Sequence, residues 1–151
     1  ETYPFQCNLA YQVPRKKEAD YIGKQALEAM RDKIEAGEKP YSNQLVGFTL
    51  GGKPIEEYAP DFWLISDDGS TPIGYLTSPW YSPELGTNIA MGYVPYDKKT
   101  IGTSFKIHLP DEYCDTPGTP VDGVIVDMPF RPSVNPNARE LAKDKGRDTA
   151  F

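Results

Sequence analysis

FWLISDDGSTPIGYLTS, residues 62–78, is the stretch that decides the fold expected for this chain. Two runs rich in aromatic and β-branched residues, 62–66 and 72–78, flank the triplet Asp-Asp-Gly at 67–69. Asp and Gly between two such runs are a strong signal for a β-hairpin, because Gly accepts the positive φ that tight hairpin turns require. Residues 62–78 therefore predict two antiparallel strands, and turn formation accounts for the paired carboxylates.

Four further strand candidates lie on either side of this hairpin, at residues 44–50, 88–94, 104–109 and 121–128. Gly and Pro occur in the gaps, and no helical period of useful length is found between residues 41 and 135. Short strands separated by regular turns are typical of a small antiparallel barrel or sandwich. The pattern therefore predicts a mainly β domain and leaves these two architectures open.

The residues before this domain predict one helix. Residues 11–14 could end a strand, and Asp20 is the expected N-cap of a helix over residues 21–36. Gly37 is a natural helix terminator because it accepts a left-handed backbone. Apolar residues recur every three to four positions and predict one apolar helix face, made of Ile22, Ala26, Leu27, Met30 and Ile34.

Composition excludes several classes of protein. The chain has 151 residues, 38% of them hydrophobic and 25% charged, which is enough to bury a core. A net charge of −6 argues against a broad nucleic-acid surface, and no apolar run approaches the roughly 18 residues of a membrane span. The chain begins without Met or a signal-peptide pattern, so we expect it to be part of a longer protein. Residues 136–151 are polar and predict a surface tail.

The usual catalytic side chains form no recognisable motif. Cys7 and Cys114 have no metal-ligand spacing and predict two reduced thiols in a cytosolic protein, with a disulfide as the alternative. His108, the single histidine, is expected on the exposed face of a strand without a nearby Ser or Cys to activate. Glu56 and Glu57 are expected in a solvated loop. No metal site is predicted.

Trp80 and Tyr81 are the most distinctive aromatic pair. They lie between Ser-Pro pairs at 78–79 and 82–83, which predict two rigid turns around the rings. Such a loop is either a well-packed corner of the domain or a flat wall for a planar ligand. Composition and periodicity do not decide between the two.

Residues 73–95, IGYLTSPWYSPELGTNIAMGYVP, resemble the signature of the C-terminal barrel in the glycine-cleavage T-protein (aminomethyltransferase) family. Further pieces at residues 18–27, 44–54 and 102–132 resemble other family elements in the expected order. The resemblance implies a six-stranded antiparallel Greek-key barrel over 41–135, preceded by residues 1–40 as the end of an N-terminal folate-binding region. The signature is carried by Ile73, Gly74, Thr77, Ser78, Ser82, Pro83, Asn88, Ile89, Ala90 and Val94.

The resemblance also implies a function. Family members transfer a methyl or methylene group from a small methylated or aminomethyl donor to N5 of tetrahydrofolate. The family's catalytic acid lies in the N-terminal region, so no catalytic residue is expected here and the chain alone is expected to be inactive. Arg131 is the candidate for the folate carboxylate, with a surface pair to Asp127 as the alternative. Trp80 and Tyr81 are expected to face the missing N-terminal region.

Two departures from the family pattern concern the donor. Glu56 occupies a position where T-proteins usually carry Arg. The sequence Cys7-Asn8-Leu9 resembles dimethylsulfoniopropionate demethylase, a family relative, whereas T-proteins tend to have Ala-Gly-Leu there. These departures favour a demethylating methyltransferase over an aminomethyltransferase. The alternative class is a non-enzymatic folate-binding or accessory protein of the same superfamily.

Overall fold

The computed structural model describes residues 2–13, 18–58 and 61–130. Within these ranges the chain forms one α-helix and six β-strands. They are α1 (Lys24–Glu35), β1 (Asn43–Leu50), β2 (Trp63–Ser66), β3 (Pro72–Ser82), β4 (Thr87–Pro95), β5 (Ser104–Ile107) and β6 (Val121–Val126). All six predicted strands are confirmed, with different ends.

The six strands close into an antiparallel barrel in the order β1-β4-β3-β2-β5-β6, with β6 returning to β1. β2, β3 and β4 are neighbours in succession, and β1 lies beside β4, which is a Greek-key arrangement. Between residues 41 and 130, the described part of the chain contains only short 3₁₀ turns besides the strands. The predicted barrel is therefore confirmed, and the sandwich alternative is excluded.

The barrel interior is filled by alternate side chains of the strands. In β1, Val46, Phe48 and Leu50 point inward, and the Phe48 ring meets Phe105 edge to face at 6.2 Å. Phe48 has no exposed surface, and burial of such a ring contributes about 1.5–3 kcal/mol. The other buried apolar residues of this core are Ile55, Trp63, Ile65, Leu76, Ala90, Val94, Ile107, Leu109, Cys114, Val121 and Ile125.

The predicted hairpin turn joins β2 and β3. Asp68 Oδ1 accepts hydrogen bonds from the backbone N–H and hydroxyl of Ser70, at 2.9 and 2.8 Å, and from the N–H of Thr71. These bonds lower the pKa of Asp68 to about 2. Gly69 has φ +85°, which the turn requires. Asp68 therefore stabilises the turn, as the sequence pattern indicates.

The prediction of a turn at the first Ser-Pro pair, residues 78–79, is wrong, whereas the turn predicted at the second pair is present at residues 83–86. β3 continues through Trp80 and Tyr81 to Ser82, and Tyr81 pairs with Asn88 of β4. The register shifts between Leu76 and Ser78, just before Pro79. Proline is tolerated in a strand at such a bulge, because the ladder of hydrogen bonds is already interrupted there.

The segment before the barrel also differs from the prediction. Pro4–Cys7 and Ala10–Gln12 form 3₁₀ turns, so the strand end expected at residues 11–14 is absent from the described residues 11–13. The segment lies against β1, and side-chain amides replace a strand ladder there. Arg31 of α1 donates to the carbonyl of Val13 and thereby connects the helix to this segment.

The helix is shorter than predicted. It begins at Lys24 after Gly23, whose φ is +86° and which occupies the N-cap position, whereas Asp20 accepts from the adjacent N–H of Tyr21 and is not the N-cap. Ile22 lies before the helix and is fully exposed, and no residue of α1 is buried. The predicted stop is confirmed, because Gly37 has φ +78° and donates to the carbonyl of Ile34. Among the described residues, no helix is long and apolar enough to cross a membrane.

Candidate functional site

The N-terminal segment is attached to the start of β1 by a buried amide. Gln44 is 3% exposed, and its Nε2 donates to the carbonyl of Gln6 at 2.8 Å and to Asn8 Oδ1 at 2.9 Å. The carbonyl of Phe5 lies 3.3 Å from the same nitrogen. Tyr41 donates to the other end of the amide, Oε1, at 2.9 Å. Because both ends of the Gln44 amide are bonded, the segment is fixed relative to the barrel.

Asn8 occupies an unusual backbone conformation in this segment. Its φ is +61°, in the left-handed region that favours glycine, and asparagine is one of the few other residues that enters it routinely. The Asn8 side chain compensates, because Nδ2 donates to the carbonyl of Leu45 at 2.8 Å. Such conformations cluster at binding sites, so the neighbourhood of Asn8 is a candidate site.

A groove of about 570 Å³ lies between Asn8 and the end of β6. This volume is in the range of sites for small molecules, about 300–1,000 Å³. Its lining is mostly apolar, with polar side chains from four different parts of the chain. The lining residues are Asn8, Gln44, Leu45, Val46, Gly47, Lys99, Thr100, Ile101, Ile125, Val126, Asp127 and Met128.

One wall of the groove depends on the missing side chain of Gly47. A Cβ on Gly47 would lie 2.6 Å from Met128 Cγ and 2.9 Å from Phe130 Cε1. These contacts are shorter than real carbon atoms tolerate, so any side chain at residue 47 would require the Met128 and Phe130 side chains to move. Arg131 follows Phe130 directly and lies outside the described residues.

The rim of the groove is positively charged at Lys99. Lys99 Nζ lies 3.8 Å from the centroid of the Tyr96 ring, a cation–π contact. The Tyr96 ring in turn meets Tyr41 edge to face at 5.2 Å. Burial, followed by the neighbouring Tyr96 and Cys7, raises the pKa of Tyr41 to about 12. Its hydroxyl therefore stays protonated near neutral pH and remains a donor to Gln44.

Cys7 contacts Tyr93 of β4. Its Sγ is 3.7 Å from the hydroxyl of Tyr93, and burial together with this contact raises the pKa of Tyr93 to about 12. Both Cys7 and Cys114 are free thiols. Cys114 is 1% exposed and donates to the carbonyl of Leu109, and burial raises its pKa. Burial and the raised pKa together make the Cys114 thiol unreactive.

The structure does not bring Trp80 and Tyr81 to the groove. Trp80 is 47% exposed, whereas Tyr81 is half-buried, and their side chains point to opposite faces of β3. They therefore cannot form one flat wall. Tyr81 lies opposite Asn88, which pairs with Leu50 at the end of β1, whereas the groove lies along the first half of β1.

His108 has a partner that the sequence did not reveal. Its Nε2 lies 2.8 Å from Ser66 Oγ, so the prediction of a histidine without a nearby serine is wrong. Ser66 is 42 residues away in the chain and reaches His108 across the β2–β5 pair. Because Ser66 has no exposed surface, a substrate cannot reach its hydroxyl, and the pair is structural. In the described ranges, no three His, Cys, Asp or Glu side chains are grouped for a metal ion.

Asn88, the asparagine of the signature, is also structural. It is 2% exposed, and its Oδ1 accepts from the N–H of Ile55 at 3.0 Å. Its Nδ2 donates to the carbonyls of Gly51 and Lys53 at 3.2 and 2.9 Å. Asn88 thus fixes the loop after β1, on which Glu56 is exposed, as expected for a solvated loop.

Comparison with known proteins gives one consistent family. Residues 43–130 match the model of the glycine cleavage T-protein C-terminal barrel domain. The aminomethyltransferase of Halothermothrix orenii is 36% identical over 129 residues, which cover 85% of this chain and 31% of that protein. The mitochondrial aminomethyltransferase of Solanum tuberosum is 33% identical over 134 residues, covering 87% and 29%.

A solved structure agrees with these sequence relatives. The crystal structure of glycine cleavage system aminomethyltransferase T from Bartonella henselae superposes with a TM-score of 0.63 at 25% identity. The superposition covers 87% of this chain and 32% of that protein. This chain thus spans about a third of the length of the relatives it matches, 31% and 29% for the two named above. The chain belongs to the glycine-cleavage T-protein family, of which it contains the C-terminal barrel domain.

Proposed function

We propose that the chain is the C-terminal part of a tetrahydrofolate-dependent one-carbon transferase. The observation that carries this proposal is the family barrel over residues 43–130, in a chain that covers 31% of the Halothermothrix orenii aminomethyltransferase. The rest of such a protein would be the partner of residues 1–40 and would supply the folate cavity and the catalytic acid. The whole enzyme would transfer a methyl or methylene group to N5 of tetrahydrofolate.

The groove is the proposed contribution of this chain to folate binding. Folate combines a flat benzoyl ring with a carboxylated glutamate tail, and the groove combines an apolar lining with a charged rim. Because the protein carries a net charge of −6, a carboxylate needs a local cation. Arg131 follows Phe130, which packs at Gly47 in the groove wall, and consecutive Cα atoms are about 3.8 Å apart. Arg131 is therefore proposed to bind the carboxylate with its planar fork.

Trp80 is proposed to contact the upstream part of the protein. It pairs with Ile89, and the next pair on the same outer face includes Met91, which is 36% exposed. Large exposed apolar groups side by side mark a surface that a partner covers. The backbone of β3 at Tyr81 is proposed to position the loop after β1, because the N–H of Tyr81 donates to the carbonyl of Ile55 at 2.8 Å.

The donor is proposed to be an aminomethyl group, as the names of the relatives suggest. The replacement of Ala-Gly-Leu by Cys7-Asn8-Leu9 has a conformational explanation, since glycine and asparagine both accept the left-handed backbone at Asn8. The sequence difference at residues 7–9 therefore gives no information about the donor substrate. A methylated donor is the second candidate and rests on Glu56, which places a negative charge where T-proteins usually carry a positive one.

The first prediction concerns turnover. We expect the full-length protein to form a one-carbon adduct of tetrahydrofolate, whereas residues 1–151 alone should show none above the buffer control. Mass spectrometry of the folate product checks this for an aminomethyl donor and for methylated amine, ether and sulfonium donors. A full-length protein that binds tetrahydrofolate without turnover would favour the accessory class, and turnover by residues 1–151 would contradict the proposed division between the two parts.

The second prediction concerns Arg131→Ala in the full-length protein. Loss of a charge-assisted hydrogen bond weakens binding by about 1.5–3 kcal/mol, which is on the order of ten- to a hundred-fold in Kd for tetrahydrofolate. Isothermal titration calorimetry measures the change. Arg131→Lys is the control, since it retains the charge without the fork, and we expect an intermediate loss. An unchanged Kd in a folded Arg131→Ala protein would remove Arg131 from the site.

A further inference from the structure

Three aromatic side chains lie in a row on the outer face of the barrel. Phe62 precedes β2, and its ring centroid is 5.4 Å from that of Tyr75 in β3. The Tyr75 centroid is in turn 5.6 Å from that of Tyr93 in β4. Leu64, which pairs with Tyr75, belongs to the same face. These four residues, the aromatic row, cross three adjacent strands and contain no Asp, Glu, Lys or Arg.

Within the described residues, the aromatic row is only partly covered. Phe62 is 67% exposed and Leu64 is 45% exposed, whereas Tyr75 and Tyr93 are half-buried. Trp63 points inward and is 6% exposed, so the core beside Phe62 is already filled by its neighbour. Large apolar side chains that stay exposed next to one another mark a surface that a partner covers.

One end of the aromatic row meets the N-terminal segment. Cys7 Sγ lies 3.7 Å from the Tyr93 hydroxyl, and Tyr93 pairs with Leu45, whose carbonyl accepts from Asn8. The contact between the N-terminal segment and β1, which Gln44 fixes, is therefore continuous with the aromatic row. Any chain that precedes residue 1 starts within about 22 Å of Cys7, because six extended residues span at most about 3.6 Å each.

The size of the aromatic row favours an occupant that is tethered to the barrel. A fully buried aromatic side chain covers about 150–250 Å². Three partly buried rings and one leucine therefore offer less than the roughly 800 Å² per partner of a stable interface between separate proteins. A segment of the same polypeptide needs less area, because the linkage gives it an effective concentration in the millimolar range. The small area thus argues against a second copy of the chain.

We propose that the aromatic row is the docking surface for an apolar part of the same protein that lies upstream of residue 1. This inference rests on the proposed function, because it takes the chain as the C-terminal part of a longer protein, as its 31% coverage of the Halothermothrix orenii aminomethyltransferase suggests. Phe62, the most exposed member of the row, is the principal contact. The row is separate from Trp80, which lies beyond the register shift in β3.

Hydroxyl-radical footprinting of the full-length protein tests the docking. Tandem mass spectrometry measures the oxidation rate of each side chain in the native and in the urea-unfolded protein. An exposure of 67% predicts that Phe62 is oxidised only about 1.5-fold more slowly in the native protein. Because the core of an interface is closed to solvent, we expect protection of about five-fold or more. Trp63 is buried in the barrel itself and is the internal control for folding.

Variants of the full-length protein separate docking from folding. An unpaired carboxylate is costly to bury, so Phe62→Asp should release the upstream part and raise the oxidation of Tyr93 by about two-fold or more. Tyr93 is the reporter because it lies at the other end of the row, and Trp63 should stay protected. Phe62→Tyr keeps a ring and should change neither residue. Ser104→Asp, which adds the same charge at an exposed position of β5, is the matched control.

Three results would overturn the docking. These are an oxidation of Phe62 that matches its 67% exposure, an unchanged Tyr93 in Phe62→Asp, and a protection of Phe62 that disappears on dilution, which would assign the row to a second copy. The footprint is recorded without folate, so the two proposals fail separately. Protection of Phe62 in a full-length protein that forms no one-carbon adduct would support the docking and overturn the proposed function.

Discussion

Replacing Gly74 by alanine should lower the free energy of unfolding by at least about 3 kcal/mol, the upper range for a side chain forced into a packed site. Gly74 lies in β3, where a Cβ would be 2.2 Å from the carbonyl oxygen of Tyr93 and 3.2 Å from its carbon. Both neighbours are backbone atoms, so no rotamer change relieves the clash. β3 would have to move away from β4 in the middle of the barrel. Urea denaturation followed by tryptophan fluorescence measures the loss.

Gly51→Ala is the matched control for Gly74→Ala. The nearest atom to a Cβ on Gly51 is the carbonyl oxygen of Asp122 at 3.6 Å, which is ordinary contact. The φ of Gly51 is not positive, so alanine fits its backbone and should change stability by less than about 1 kcal/mol. Equal midpoints for the Gly74→Ala and wild-type proteins would show that the strands separate more easily than the structure indicates. The close approach of β3 and β4 thus explains why the signature carries glycine at residue 74 after Ile73.

Asn88→Leu should be comparably damaging, with an expected loss of about 3–5 kcal/mol. Leucine fills a similar volume but leaves three backbone groups without their partner. The N–H of Ile55 is the most costly, because Ile55 is fully buried and water cannot replace the bond. The loop carrying Glu56 should become accessible to proteases as well. Denaturant unfolding and limited proteolysis measure the two effects.

Thr87→Ala provides the comparison for Asn88→Leu. Thr87 is the preceding residue in β4, and its hydroxyl donates one bond, to the carbonyl of Leu50 at 3.3 Å. Loss of this single bond should lower stability by about 0.5–1.5 kcal/mol. If Asn88→Leu destabilises no more than Thr87→Ala, the three bonds of Asn88 are not what holds the loop.

The strands were predictable because their signals are local. Alternating apolar residues in β1 and the Asp-Asp-Gly turn before β3 act over a few residues, and the structure follows them. The first Ser-Pro pair misled because a bulge before Pro79 removes the usual conflict between proline and a strand. A bulge arises from the pairing of β3 with β4, which no short stretch of sequence specifies.

The groove was not predictable for the same reason. Gln44 carries no local signal, yet its amide bonds to a carbonyl 38 residues earlier in the chain. Lys99 belongs to a polar turn that looks solvated, and only the structure puts it over Tyr96 beside the groove. A usable signal existed at Asn8, where an asparagine stands in place of the family's usual glycine and so indicates a left-handed backbone.

Closure of the barrel by β1 and β6 has a mechanical consequence. The two strands are antiparallel neighbours, and Gly47 in the middle of β1 pairs with Val126 at the end of β6. The polypeptide thus enters and leaves the barrel at one pole through adjacent strands, and their hydrogen bonds run perpendicular to the strands. Tension applied to the start of β1 and the end of β6 therefore breaks these bonds one after another. Met128 and Phe130 bridge this seam over Gly47, so a pulling force would separate the walls of the groove before it reached the core.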